Sequence, residues 1–168
     1  VVNVPCILYN IPGRTGCKIS PAVVERLSAH PNAWGIKEAS GDISYAASIA
    51  HCLSDDFRMM SGNDDMIVPL MSLGAVGVIS VWADVAPRAV HDLCAKFLAG
   101  DVAGARKLQI DNLELIHSLF CEVNPIPVKA ALAKMGLLDE NYRKPLWPMT
   151  DSDRERLYAA MKGAGLID

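Results

Sequence analysis

The stretch Ala33-Trp34-Gly35-Ile36-Lys37-Glu38-Ala39-Ser40-Gly41-Asp42 is the one whose reading decides the fold. Residues 33–37 form an apolar, strand-like run, and residues 39–42 are a small-residue exit loop. Ile43, Ala46, Ala47, Ile49, Ala50 and Leu53 then recur at helical spacing. Strand, loop and helix thus follow one another in about twenty residues. Lys37 stands inside the apolar run, where burying an ammonium costs several kcal/mol unless it is paired or neutral. A lysine that loses its proton near neutral pH attacks a carbonyl to form a Schiff base. A strand-end lysine snorkelling to water is the plain structural alternative, and the stretch alone favours it.

Outward from this stretch the same beat repeats. Upstream, residues 4–9 (Val-Pro-Cys-Ile-Leu-Tyr) read as a strand ending at the loop Asn10-Ile11-Pro12-Gly13-Arg14-Thr15-Gly16. Ser20-Pro21 reads as N-cap and first residue of a helix with Val23, Val24 and Leu27 on one face. Downstream, residues 57–60 form a third strand that leaves through Ser61-Gly62-Asn63-Asp64-Asp65 into a short helix over 66–73. Residues 76–80 form a fourth strand, and Pro87 opens a helix that stops at Gly100.

Apolar strands without alternation, each followed by a helix, predict a parallel sheet covered on both sides. From Asp101 the pattern turns all-helical. One long helix is predicted over 102–121, a break at Asn124-Pro125-Ile126-Pro127, and a helix over 128–135. A last helix is capped by Thr150-Asp151-Ser152-Asp153. The expected division is therefore 1–100 for the βα units and 101–168 for a helical region.

Four βα units fit a small open doubly wound sheet or half of a (β/α)₈ TIM barrel, which typically needs about 250 residues. Half a barrel leaves two unpaired edges. The chain opens almost directly on a strand and without Met, so it reads as the C-terminal portion of a longer one.

Composition narrows the function classes. The 168 residues are 51% hydrophobic and 21% charged, with a net charge of −3, which gives no reason to expect nucleic acid or an anionic membrane as partner. No apolar run approaches the roughly 20 residues that span a bilayer. The opening Val1-Val2-Asn3-Val4-Pro5 lacks the marks of a signal peptide, and a cytoplasmic location is expected. The five cysteines are odd in number and include no Cys-x-x-Cys, so buried free thiols are expected. The four histidines have no metal-ligand spacing, and no Gly-x-Gly-x-x-Gly or Walker loop occurs. Asn63-Asp64-Asp65 is read as capping the next helix, with no metal expected.

In parallel βα folds, ligands bind beyond the carboxyl ends of the strands. Tyr9, Lys37, Ser61-Gly62 and Ile79-Ser80 stand at those ends, with Arg14 on the first loop. Lys37 is the candidate nucleophile and Tyr9 the candidate for proton transfer. Arg14 offers a two-pronged fork to a carboxylate, and Gly62 leaves room for backbone to approach a ligand. Singly, each has an ordinary structural role; grouped at one end of adjacent strands, they favour catalysis.

These residues lie in motifs that resemble the dihydrodipicolinate synthase family, of the Schiff-base class I aldolase superfamily that includes N-acetylneuraminate lyase. The motifs are Tyr9-Asn10-Ile11-Pro12-Gly13-Arg14-Thr15-Gly16, Gly35-Ile36-Lys37-Glu38-Ala39-Ser40-Gly41, Ser61-Gly62-Asn63-Asp64, Gly77-Val78-Ile79-Ser80 and Asn124-Pro125-Ile126-Pro127-Val128-Lys129. The resemblance covers essentially the whole chain. It implies the last four βα units of a TIM barrel, strands five to eight, followed by a C-terminal helical region, and a homotetramer built as a dimer of dimers. It implies that Lys37 forms a Schiff base with pyruvate and that the enamine attacks aspartate semialdehyde, in lysine and diaminopimelate biosynthesis. Tyr9 would shuttle protons, Arg14 would hold the semialdehyde carboxylate, and Gly62 and Ile79 would line the pyruvate side. No external cofactor is implied.

One departure matters. The family relays protons through a threonine pair on an earlier strand and a tyrosine from a neighbouring subunit. The only threonines here are Thr15 and Thr150. The 168 residues alone are therefore expected to be inactive or nearly so. The alternatives are a sister lyase acting on a sialic acid or keto-deoxy sugar acid, and a non-enzymatic oligomerisation or binding fragment.

Overall fold

The structure is a computed structural model and describes residues 3–168. Val1 and Val2, the first two residues of the stretch read as unlike a signal peptide, lie outside them. The chain divides into two compact units, Val1–Ser80 and Val81–Asp168. The sequence rhythm puts its boundary at 100, twenty residues later; that division, drawn from βα repeats rather than from packing, remains a proposal.

The first unit is built on four parallel strands in the order β1-β2-β3-β4. They are β1 (Cys6–Asn10), β2 (Ala33–Glu38), β3 (Arg58–Ser61) and β4 (Gly77–Val78). Helices α1 (Pro12–Thr15) and α2 (Pro21–Ser28) follow β1, α3 (Ile43–Ile49) follows β2, and α4 (Ile67–Ser72) follows β3. All four expected strands form with ends moved by one or two residues; β2 keeps its start at Ala33, and β4 shrinks to two residues. The loop expected after β1 winds into a single turn instead. Pro12 presets its first residue, and Gly16, in the left-handed region at φ 70°, closes it by donating to the Pro12 carbonyl.

Register fixes which side chains share a face. Leu8, Ile36 and Met59 are aligned, as are Asn10, Glu38 and Ser61 two residues on, on the same face. Ile36, Met59, Asn10, Glu38 and Ser61 are buried, with Val24, Ala46, Ile49, Phe57 and Ile67 among the buried apolar side chains of this unit. Each large apolar side chain so buried contributes about 1.5–3 kcal/mol. The alternate rows, Ile7-Gly35-Arg58 and Tyr9-Lys37-Met60, carry exposed side chains at Ile7, Tyr9 and Arg58. The expectation of a sheet covered on both sides is thus corrected: one row is buried, and the other is open at these positions. In a closed (β/α)₈ barrel that second face is filled by side chains from all eight strands.

Gly35 shows how close β2 and β3 lie. A Cβ built there would overlap the Arg58 carbonyl oxygen on the neighbouring strand. Backbone cannot yield as a flexible side chain can, so Gly35→Ala is expected to destabilise the protein by at least about 3 kcal/mol. Urea denaturation checks this, and a loss under about 1 kcal/mol contradicts it.

The second unit contains helices only, among the described residues. They are α5 (Trp82–Val85), α6 (Pro87–Leu98), α7 (Val102–Asp111), α8 (Leu113–Ser118), α9 (Ile126–Lys134) and α10 (Asp151–Gly163). Trp82, Leu93, Leu119, Leu157 and Met161 form its fully buried centre. The single helix predicted over 102–121 is two helices. Asn112 divides them: its side-chain amide donates to the Leu108 carbonyl at 2.8 Å, taking the acceptor its own N–H would use in a continuous helix. That N–H turns to Gln109 and Ile110 instead. The Thr150 cap forms as read, accepting from the Asp153 N–H.

Arg154 on α10 grips Glu140 with both guanidinium arms, each at 2.6 Å. The guanidinium holds the Glu140 carboxyl below its ordinary value of 4.5. A carboxyl depressed by folding stabilises above its unfolded pKa and loses that contribution as pH falls through the folded value. Glu140→Gln is therefore expected to cost about 1 kcal/mol at pH 7 and progressively less as the pH falls below the ordinary carboxyl value. Thermal melts across pH 2–7 check this, and a pH-independent difference contradicts it.

Among the described residues, no helix is long and apolar enough to cross a membrane. The five cysteines are free, but none is buried: Cys17 is exposed and the other four are half-buried. The expected burial is corrected: Cys6 lies on the half-covered first strand and Cys17 on the exposed segment after α1.

Candidate active site

The sheet presents Tyr9 and Lys37 side by side, as direct register partners near the carboxyl ends of β1 and β2. The Lys37 ammonium lies over the Tyr9 ring, 4.3 Å from its centroid. Tyr9 is 46% exposed and Lys37 half-buried, so the pair is open to a ligand from outside. Two of the expected site residues are thereby brought together.

Gly62 joins them, in a way the sequence reading only half foresaw. A Cβ built on Gly62 would lie 2.6 Å from the Ala39 Cβ, 3.0 Å from the Glu38 carbonyl oxygen and 3.1 Å from the Lys37 Cε. The absent side chain makes room for the lysine stem itself. The Gly62 N–H donates to the Glu38 carbonyl at 2.6 Å, continuing the β2–β3 ladder into the loop. Ile79, one residue past β4, donates its N–H to the Ser61 carbonyl at 2.9 Å and leaves its side chain exposed. Arg14 is exposed on α1, which leaves β1 after the single residue Ile11, so chain path sets it at the same end of the sheet.

Behind this pair lies a polar cluster that the sequence reading missed. Asn10 and Glu38 follow Tyr9 and Lys37, pair in register, and turn to the buried face, 0% and 2% exposed. The Asn10 amide donates to Glu38 Oε2 at 2.7 Å. The Ser40 N–H donates to Glu38 Oε1 at 2.7 Å, and the Ser40 hydroxyl donates to the same oxygen. Asn10 Oδ1 in turn accepts from the Ile19 N–H at 3.1 Å. The signal was present: two polar residues at the ends of otherwise apolar strands, each one position beyond a candidate catalytic residue.

The segment just after α1 is anchored to α3 and its N-cap by further contacts. The Tyr45 hydroxyl donates to the Ile19 carbonyl at 2.7 Å, and burial pushes that phenol up to about 12. Lys18 pairs with Asp42 at 2.8 Å, and this bond, with the Tyr45 N–H that Asp42 caps, holds the Asp42 carboxyl below its usual range.

Asn63 makes no side-chain cap. Ser61 Oγ bridges the turn, donating to the Asn63 carbonyl and accepting from its N–H, before the 3₁₀ turn Asp64–Met66. The expected capping role is corrected for Asn63. Among the described residues, no group of three or more His, Cys, Asp or Glu side chains is placed to hold a metal.

All but the last four residues fit one family. The model of the Dihydrodipicolinate synthetase family matches residues 1–164. The chain belongs to the dihydrodipicolinate synthetase family. Its similarity to a 4-hydroxy-tetrahydrodipicolinate synthase of Clostridium perfringens is 45% identity over 166 residues, covering 99% of this chain and 57% of that protein. The synthase of the same name from Pseudomonas aeruginosa is 48% identical over the same shares. The chain thus spans about 57% of the length of the curated relatives it matches.

Among solved structures, the dihydrodipicolinate synthase of Thermotoga maritima superposes with a TM-score of 0.96 at 38% identity, covering 99% of this chain and 58% of that one. The Acinetobacter baumannii dihydrodipicolinate synthase complexed with pyruvate gives 0.94 at 44%, covering 99% and 57%. The fold is accordingly that of the last four βα units of the family's (β/α)₈ barrel with its C-terminal helices.

Proposed function

We propose that the complete protein is a 4-hydroxy-tetrahydrodipicolinate synthase, condensing pyruvate with L-aspartate 4-semialdehyde through an imine on Lys37. The observation that carries this is the Lys37–Tyr9 pair at the carboxyl end of a parallel sheet, 4.3 Å from ammonium to ring, in a chain that the family model matches almost end to end. The lysine amine adds to the keto carbon of pyruvate, and loss of water leaves the iminium. Loss of a methyl proton gives the enamine, which attacks the aldehyde carbon. The resulting secondary alcohol keeps the new carbon–carbon bond, and attack of the semialdehyde amine on the imine carbon closes the ring and releases Lys37.

In this reading Tyr9 carries protons between these steps, and Arg14 takes the semialdehyde carboxylate in a two-pronged contact. Backbone around Gly62 and Ile79 lines the pyruvate side. The lysine acts as its own electron sink, so no external cofactor enters. Residues 1–100 contribute to the barrel and 101–168 form the helical region. The protein acts in the cytoplasm as a homotetramer, a dimer of dimers; light scattering of the purified protein tests the assembly, a tetramer mass being the expected result.

The test of function is a coupled assay of the complete protein. Turnover with pyruvate and aspartate semialdehyde, and none with N-acetylneuraminate, is the expected result. The reverse preference makes it a sister lyase, and no turnover with either, together with no imine, overturns the enzymatic reading.

A further inference from the structure

We propose that Glu38 is the positioning residue of this site: its buried carboxyl clamps the strand ends and loop that hold Lys37, Tyr9 and Arg14. The inference rests on the Schiff-base reading above and goes beyond it, because Glu38 faces away from the substrate side of the sheet. Three donors from two segments converge on one carboxyl: the Asn10 amide at 2.7 Å, the Ser40 N–H at 2.7 Å and the Ser40 hydroxyl. A deprotonated carboxyl is acceptor-only and suits such a set without a competing proton. Its 2% exposure means that no bulk water replaces a lost donor, so each bond is costly to break.

Connectivity gives the clamp its reach. Through Ser40 the carboxyl holds the exit of β2, and through Asn10 it holds the end of β1. Asn10 then passes the constraint on, since its Oδ1 fixes Ile19 beyond α1, the turn that contains Arg14. Backbone bonds from Ala39 to Asn10 and from Gly62 to the Glu38 carbonyl complete the frame. Lys37 and Tyr9 are each the immediate chain neighbour of a clamped residue. A loosened clamp therefore moves the nucleophile relative to the phenol, and a misplacement of about 1 Å costs on the order of 10²-fold in rate.

The polarity of the Asn10–Glu38 contact can be reversed without losing a bond. In the double variant Asn10→Asp/Glu38→Gln, the glutamine amide donates to the aspartate, whose other oxygen still accepts from Ile19. The glutamine oxygen still accepts from Ser40. In the complete protein, Glu38→Gln and Asn10→Asp are each expected to lower kcat and the rate of borohydride-trapped pyruvate imine by about 10–100-fold. The melting midpoints stay above the assay temperature, and the double variant returns to within about threefold of wild type.

A Glu38→Gln protein that forms the imine at the wild-type rate overturns the inference and leaves the function standing. So does a double variant as slow as the two single effects combined. A wild-type protein that forms no imine sinks the functional reading instead. Should the single variants not fold, Ser40→Ala removes one donor only; a kcat lowered about threefold or more supports the clamp, and an unchanged kcat refutes it.

Discussion

Lys37→Met is expected to abolish turnover, lowering kcat by at least about 10⁴-fold, or roughly 5 kcal/mol at 1.36 kcal/mol per decade. The reason is chemical. Methionine matches the lysine stem in length and apolar character, so it fills the space left beside Gly62, but it has no amine to form an imine. The loss is therefore expected without unfolding. Lys37→Arg is expected to fare no better, because a guanidinium stays protonated and is a poor nucleophile. Steady-state kinetics beside circular dichroism checks both variants. A folded Lys37→Met protein within about tenfold of wild type contradicts the assignment of the nucleophile.

Gly62→Ala is expected to lower both stability and turnover, and acts by crowding. The added methyl would meet the Ala39 Cβ at 2.6 Å, the Glu38 carbonyl at 3.0 Å and the Lys37 Cε at 3.1 Å. The first two neighbours are rigid. Only the lysine end can yield, and yielding displaces the Lys37 amine from its place over Tyr9. A loss of about 1–3 kcal/mol in stability is expected from overpacking, with kcat down on the order of 10²-fold from misplacement. Gly163→Ala on α10 is the control, since a Cβ there meets nothing within 4 Å. Stability and kcat both unchanged in Gly62→Ala contradict the packing described here.

Much of this architecture was legible because local chemistry and tertiary context agree. Residues 33–42 read as strand and exit loop from apolar run and small residues, and β2 and its loop fall there. Ser20-Pro21 and Thr150 marked helix starts through proline's fixed φ and a hydroxyl acceptor, signals carried by single residues. The failures have equally local causes. The break at Asn112 depends on where one amide sends its hydrogen bond, which hydrophobic periodicity across Leu108, Leu115 and Leu119 does not register. The turn after β1 depends on Gly16 adopting a left-handed φ, whereas Pro-Gly chemistry alone fits a loop as well.

The site divides along the same line. The adjacency of Lys37 and Tyr9 was legible because both stand at the ends of neighbouring strands. Gly62 was read as leaving room for a ligand, whereas the structure puts the lysine stem beside it, and distances of that kind do not show in a one-dimensional pattern. Asn10 and Glu38 were missed because polar residues at a strand end usually mark the turn to solvent. Here register puts them opposite each other on the buried face, and only the pairing of β1 with β2 reveals that.

The most direct measurement is borohydride trapping of the complete protein with pyruvate, followed by peptide mass analysis. The account predicts one reduced pyruvate adduct, on the peptide containing Lys37, and its absence in Lys37→Met. An adduct on another lysine, or none at all in an active preparation, would contradict it.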